Sequence, residues 1–136
     1  MSGSPLSRED LAALAQAIDA RIGVMKSDLR QGLHRAEGPE VLRLVNHLEE
    51  TDDAPVADLL LATEIAEIQR DAAELKQLQL ARRRLQEGTY GECVDCGTWI
   101  PLQRLRAQPA AARCVSCQET VEKRAVGGGA PAPHSL

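Results

Sequence analysis

Two short cysteine pairs limit what this chain can fold into. Cys93-Val94-Asp95-Cys96 and Cys114-Val115-Ser116-Cys117 contain all four cysteines, with two residues inside each pair and seventeen between the pairs. Two residues between thiols let both sulfurs of a pair face one ion, so the pattern reads as a single tetrahedral zinc site built from two knuckles. Gly97 follows the first knuckle and permits the turn that aims backbone amides at thiolates. The stretch 97–113 is long enough for a small ribbon or hairpin and a short connection. Three other readings use the same residues. Disulfides suit an oxidising compartment, but Met1-Ser2-Gly3-Ser4-Pro5 carries no apolar signal segment and points to the reducing cytosol. A thioredoxin-like motif needs a βαβ surround, which is absent from the pattern. An iron–sulfur cluster takes four cysteines too, but the paired spacing fits zinc better. A closed four-cysteine site is structural, so any working chemistry lies elsewhere.

The rest of the 136 residues offers little for a compact core. Phe is absent, and Trp99 and Tyr90 are the only aromatics. Ala, Leu, Glu and Arg abundance instead favours long helices packed side by side, with zinc stabilising the part too small to bury a core of its own. Ser7 is a candidate N-cap with Asp10 three residues on. Leu11, Leu14, Ile18, Ile22, Met25 and Leu29 then recur at steps of three or four, as in a coiled-coil helix. Gly23 and Gly32 each weaken that helix by about 1 kcal/mol relative to Ala. Gly38-Pro39 predicts a break, Leu42, Val45 and Leu48 continue a stripe, and Thr51-Asp52-Asp53-Ala54-Pro55 predicts a turn. A second helix is expected from about Val56 to Glu87, striped by Leu61, Ile65, Ile68, Ala72, Leu75 and Leu78 and closed by Gly88.

The predicted architecture is mainly α: a long antiparallel helical hairpin, then a small four-cysteine finger and a short C-terminal helix. The expected divisions are a disordered 1–6, a coiled-coil arm over 7–87 with its tip at about 51–55, a finger with its short helix over 88–124, and a flexible tail over 125–136.

Charge is distributed unevenly. The net value is −4, which disfavours wholesale nucleic-acid binding. Residues 37–58 carry seven acids against Arg43, whereas residues 76–124 carry nine bases against five acids. That basic excess motivates an alternative reading as a zinc-ribbon nucleic-acid-binding module or protein-interaction adaptor. Arg82-Arg83-Arg84 serves either as a contact surface or as a solvated helix end favoured by the dipole. No apolar run nears the ~20 residues of a membrane span. His34, His47 and His134 are isolated, and neither a phosphate loop nor a nucleophile with a base is present, so an enzyme is not expected.

Glu87-Gly88-Thr89-Tyr90-Gly91-Glu92-Cys93-Val94-Asp95-Cys96-Gly97 resembles the start of the zinc finger of the DksA/TraR family. Ile100-Pro101, Arg104-Leu105, Ala107, Pro109 and Arg113-Cys114-Val115-Ser116-Cys117-Gln118 resemble its second half. The likeness covers about 35 residues in detail, and the helical hairpin agrees in layout. It implies a cytoplasmic bacterial regulator that binds RNA polymerase rather than DNA, placing a coiled-coil tip in the polymerase secondary channel, often together with ppGpp. Counting back without gaps, the family's tip motif Asp-x-x-Asp-x-Ala falls on Glu50, Asp53 and Pro55; other alignments use Asp52 or Asp58. Arg70 falls where members carry a basic polymerase contact. Positions that are basic in ppGpp-responsive members are Gln77, Gln108 and Gln118 here, so ppGpp binding is expected to be weak or absent.

Overall fold

The structure, a computed structural model, describes residues 4–35, 60 and 65–128. The elements are α1 (Arg8–Arg35), α2 (Ala66–Glu87), α3 (Leu102–Ala107) and α4 (Val115–Gly128). Among the described residues the only β pairing is one antiparallel bridge, Glu92 to Trp99. Also among them, no helix is long and apolar enough to cross a membrane.

The start of α1 is fixed locally. The Ser7 hydroxyl accepts the Asp10 amide at 2.9 Å, and the Asp10 carboxylate accepts the Ser7 amide at 3.0 Å. This reciprocal box satisfies two of the amides that a helix N-terminus leaves open. The far end of α2 closes on Gly88, whose φ of 82° is the left-handed conformation that terminates helices at low cost only for glycine.

Both helices bury one stripe against each other. Leu14, Ile18, Ile22, Met25, Leu29 and Leu33 of α1 meet Ile68, Ala72, Leu75, Leu78 and Ala81 of α2. Fully burying one such leucine or isoleucine stabilises the fold by about 1.5–3 kcal/mol. Two cross-helix ion pairs give the direction. Arg21 reaches Glu74 at 2.6 Å and Arg82 reaches Asp19 at 2.7 Å, so the later α2 residue meets the earlier α1 residue and the pair is antiparallel. Both bridges are largely solvated and contribute little to stability. Gln79 also enters the buried face, with its Oε1 unpartnered.

Four expectations need correction. Ile65 is extended at φ −94° and ψ 111° and is 41% exposed, so it caps α2 rather than continuing a helix from Val56. Its β-branched side chain resists the helical conformation. Leu6 is buried rather than part of a disordered 1–6 segment. The link between the knuckles forms α3 after a single bridge, not a ribbon: Pro101 breaks the pairing and its carbonyl accepts the amides of Arg104 and Leu105. Finally, α4 extends through Ala125–Gly128, the first part of the expected tail. Glu50, Asp53 and Asp58, with the whole expected tip, lie outside the described residues.

Candidate metal centre

The first knuckle is a turn held by its own backbone, and the second opens α4 at Val115. Gly97 adopts φ 79° and donates to the Cys93 carbonyl at 2.9 Å. The Cys93 amide donates to Thr98 at 2.8 Å, and the Val94 amide reaches the Ala112 carbonyl at 2.9 Å, joining the two knuckles. The result is four sulfurs, from Cys93, Cys96, Cys114 and Cys117, all within 4.8 Å of one another. The Cys96 and Cys114 sulfurs are 3.8 Å apart. A tetrahedron with Zn–S bonds of about 2.3 Å has edges of about 3.8 Å, so this separation fits zinc. Cys93 is buried, Cys114 and Cys117 are partly covered, and Cys96 is exposed.

The electrostatics favour a cation here. Burial pushes the Cys93 thiol up, but the backbone amides of Cys114, Cys96 and Asp95 outweigh it and bring the thiol down to about 6. The Thr98 hydroxyl, 2.9 Å from the Cys96 sulfur, lowers that thiol as well. Cys117 moves the other way, raised first by the sulfur of Cys114 and then by that of Cys93. Sulfurs this close resist full ionisation unless a cation is shared among them, and Zn²⁺ held by the four would stabilise all of them as thiolates.

Side chains outside the motif brace the finger. Arg113 donates to the Asp95 carboxylate at 2.7 Å, tying the residue before the second knuckle to the interior of the first. Arg104 of α3 donates to the Arg113 carbonyl at 3.0 Å. Tyr90 donates from its hydroxyl to the Pro109 carbonyl at 2.8 Å, and burial raises its pKa to about 12. Spacing arguments did not single out these three braces. Their only sequence signal is an acid within one knuckle and a base beside the other.

The three glutamines come together. Gln77, Gln108 and Gln118 line one cavity of about 750 Å³ between the α1–α2 pair and the finger. Its wall also holds Arg21, Arg104 and Arg113. Each of those arginines already donates to a protein oxygen: Arg21 to Glu74, Arg104 to the Arg113 carbonyl, and Arg113 to Asp95. Arg70 stands apart from both finger and cavity, exposed on the first turns of α2. Trp99 is half-buried against Gly91 and belongs to the finger's packing.

Residues 88–123 match the family described as prokaryotic dksA/traR C4-type zinc finger, a span that contains all four cysteines and Trp99. A protein of Aquifex aeolicus (strain VF5) is 40% identical over 53 residues, 39% of this chain and 37% of that one. The RNA polymerase-binding transcription factor DksA of Caulobacter vibrioides (strain NA1000 / CB15N) is 34% identical over 79 residues, 58% of this chain and 55% of its own length. DksA of Escherichia coli (strain K12) is 25% identical over 92 residues, 62% and 61% of the two chains. The chain thus spans between about a third and three-fifths of the length of these relatives. No solved structure matches it. Residues 88–123 are thus similar to the dksA/traR C4-type zinc finger and bring four cysteines together to hold one structural Zn²⁺.

Proposed function

We propose that this protein is a transcription regulator of the bacterial cytoplasm that binds RNA polymerase and catalyses no reaction. The observation that carries the reading is the C4 finger set at the base of an antiparallel helical pair, in a chain 34% identical over 79 residues to an RNA polymerase-binding transcription factor. The arm is proposed to enter the polymerase secondary channel while the finger stays outside as a stop. Acids at 50–58 then bias a site governed by bound divalent cations, whose charge dominates the local field. Glu50, Asp53 and Asp58 are the proposed tip contacts, and Arg70 is proposed to contact the channel wall from the arm. The divisions into arm, finger and tail belong to the same proposal.

In this reading ppGpp plays little part. The three neutral glutamines share one cavity whose arginines are already engaged, which leaves little unbalanced positive charge for a highly anionic ligand. The same engagement weighs against nucleic-acid binding by the basic segment, because Arg82, Arg104, Arg106 and Arg113 all meet oxygens of this chain.

The test is competition with another channel-binding factor for purified RNA polymerase. Asp53→Asn should leave binding within a few-fold of native and reduce the transcriptional effect. Absence of polymerase binding at high protein concentration would refute the reading. Isothermal titration of ppGpp into the complex should give no tight, protein-dependent site.

A further inference from the structure

Leu6 lies far from the cysteines in sequence, yet it is buried in the finger. A Cβ placed on Gly91 would come within 3.1 Å of Leu6 Cδ1 and within 3.6 Å of two ring carbons of Trp99. Both side chains therefore close on the bare α-carbon of Gly91, which at φ 97° occupies a conformation natural only to glycine. Gly91 precedes the Glu92–Trp99 bridge, and its carbonyl accepts the Ile100 amide at 2.7 Å. The surface under Leu6 is thus the back of the first knuckle, held by a single bridge rather than by a sheet. On its other side Leu6 adjoins Ser7, whose capping box with Asp10 starts α1. Asp10 also reaches Arg106 of α3 at 3.8 Å. The capped start of α1 therefore touches the finger at two places, one apolar and one ionic.

We propose that Leu6 is a latch coupling metal loading of the finger to the docking of the first turn of α1. A lone bridge and a glycine turn do not hold Trp99 and Gly91 in register without the metal that fixes Cys93 and Cys96. When the knuckle loosens, the seat for Leu6 goes with it, and the capped turn comes away from the finger. Coupling is reciprocal, so losing Leu6 weakens metal binding by the same factor that losing metal weakens the docked turn. This rests on the zinc site, not on polymerase binding.

The experiment uses the full chain, zinc and a competing chelator, with amide exchange and the fluorescence of Trp99, the only tryptophan, as readouts. In the native protein, stripping zinc should speed exchange at Asp10 and Leu11, red-shift Trp99 emission and leave Ile22 and Met25 protected. Leu6→Ala should weaken zinc affinity by about fivefold or more and leave Asp10 and Leu11 exchanging fast with or without zinc. Leu6→Met, similar in volume, should restore both. Val24→Ala, at an exposed site, should change neither. The proposal fails if Leu6→Ala keeps native zinc affinity within twofold. It also fails if zinc removal in the native chain spares Asp10 and Leu11, or deprotects α1 evenly along its length. The native-chain outcomes decide even if Leu6→Ala does not fold.

Discussion

The helical pair and the finger reach stability by different routes. Along α1 and α2 a largely apolar stripe is buried, with Ile18, Leu29, Ile68 and Leu75 essentially inaccessible to solvent. The finger buries Tyr90, Cys93, Ile100 and Leu105 and has one bridge, one six-residue helix and three glycines at positive φ flanking or within it. So few apolar groups do not offset the backbone entropy of that many ordered residues. The finger therefore depends on cross-links: a metal, Arg113 to Asp95, and Tyr90 to Pro109. The lesson is that the family signature and the larger hydrophobic store occupy different halves of the molecule.

That contrast is breakable. The largest expected effect is metal loss: Cys114→Ser or exhaustive chelation should unfold the finger, because structural zinc binding contributes an apparent ~10 kcal/mol or more to small fingers. Circular dichroism should still report most of the helix of the α1–α2 pair. Collapse of both signals together would erase the distinction between the two halves. Next comes Leu75→Ala, which removes a fully buried side chain from the seam and should cost about 2–5 kcal/mol in denaturant unfolding, with zinc stoichiometry unchanged.

Tyr90→Phe should be smaller, about 1–3 kcal/mol, from the half-buried Pro109 carbonyl left without its donor. The pH dependence has a definite sign. Burial raises the Tyr90 pKa from 10.0 to about 12. The fold therefore favours the neutral phenol, so this contribution is intact below about pH 10 and lost as pH rises through 12. Urea midpoints measured from pH 8 to 12 should fall over that window in the native protein and less steeply in Tyr90→Phe. The smallest effect is a gain. Gly23 lies inside α1 with nothing within 4 Å of a would-be Cβ. Gly23→Ala should stabilise the helical pair by up to about 1 kcal/mol without altering zinc affinity. A change in zinc affinity would mean that the halves are more tightly coupled than the packing suggests.

Much of this was legible in the residues. Steps of three and four marked the buried stripe of α1, because a helix repeats every 3.6 residues and leaves no choice of face. Ser7, Asp10 and Gly88 announced helix ends through local hydrogen bonding and glycine's freedom at positive φ. The cysteine spacing gave the metal site because thiolate chemistry and chain reach are both local. Ile65 misled because it fits the stripe by spacing, yet its backbone is extended and its side chain exposed. Leu6 misled because a single leucine beside Pro5 and Ser7 has no period to read.

Alone, the sequence determined the helical class, the caps and the likeness of its four-cysteine stretch to a known zinc finger, since each rests on contacts between residues close along the chain or on one repeating face. Tertiary structure decided the rest. It left Ile65 exposed at the start of α2, and it drew Gln77, Gln108 and Gln118 around one cavity. It braced the knuckles through Arg113 and Tyr90, and it seated Leu6 on Gly91. Those outcomes depend on surfaces distant in sequence meeting at a particular distance and angle, which no local pattern encodes.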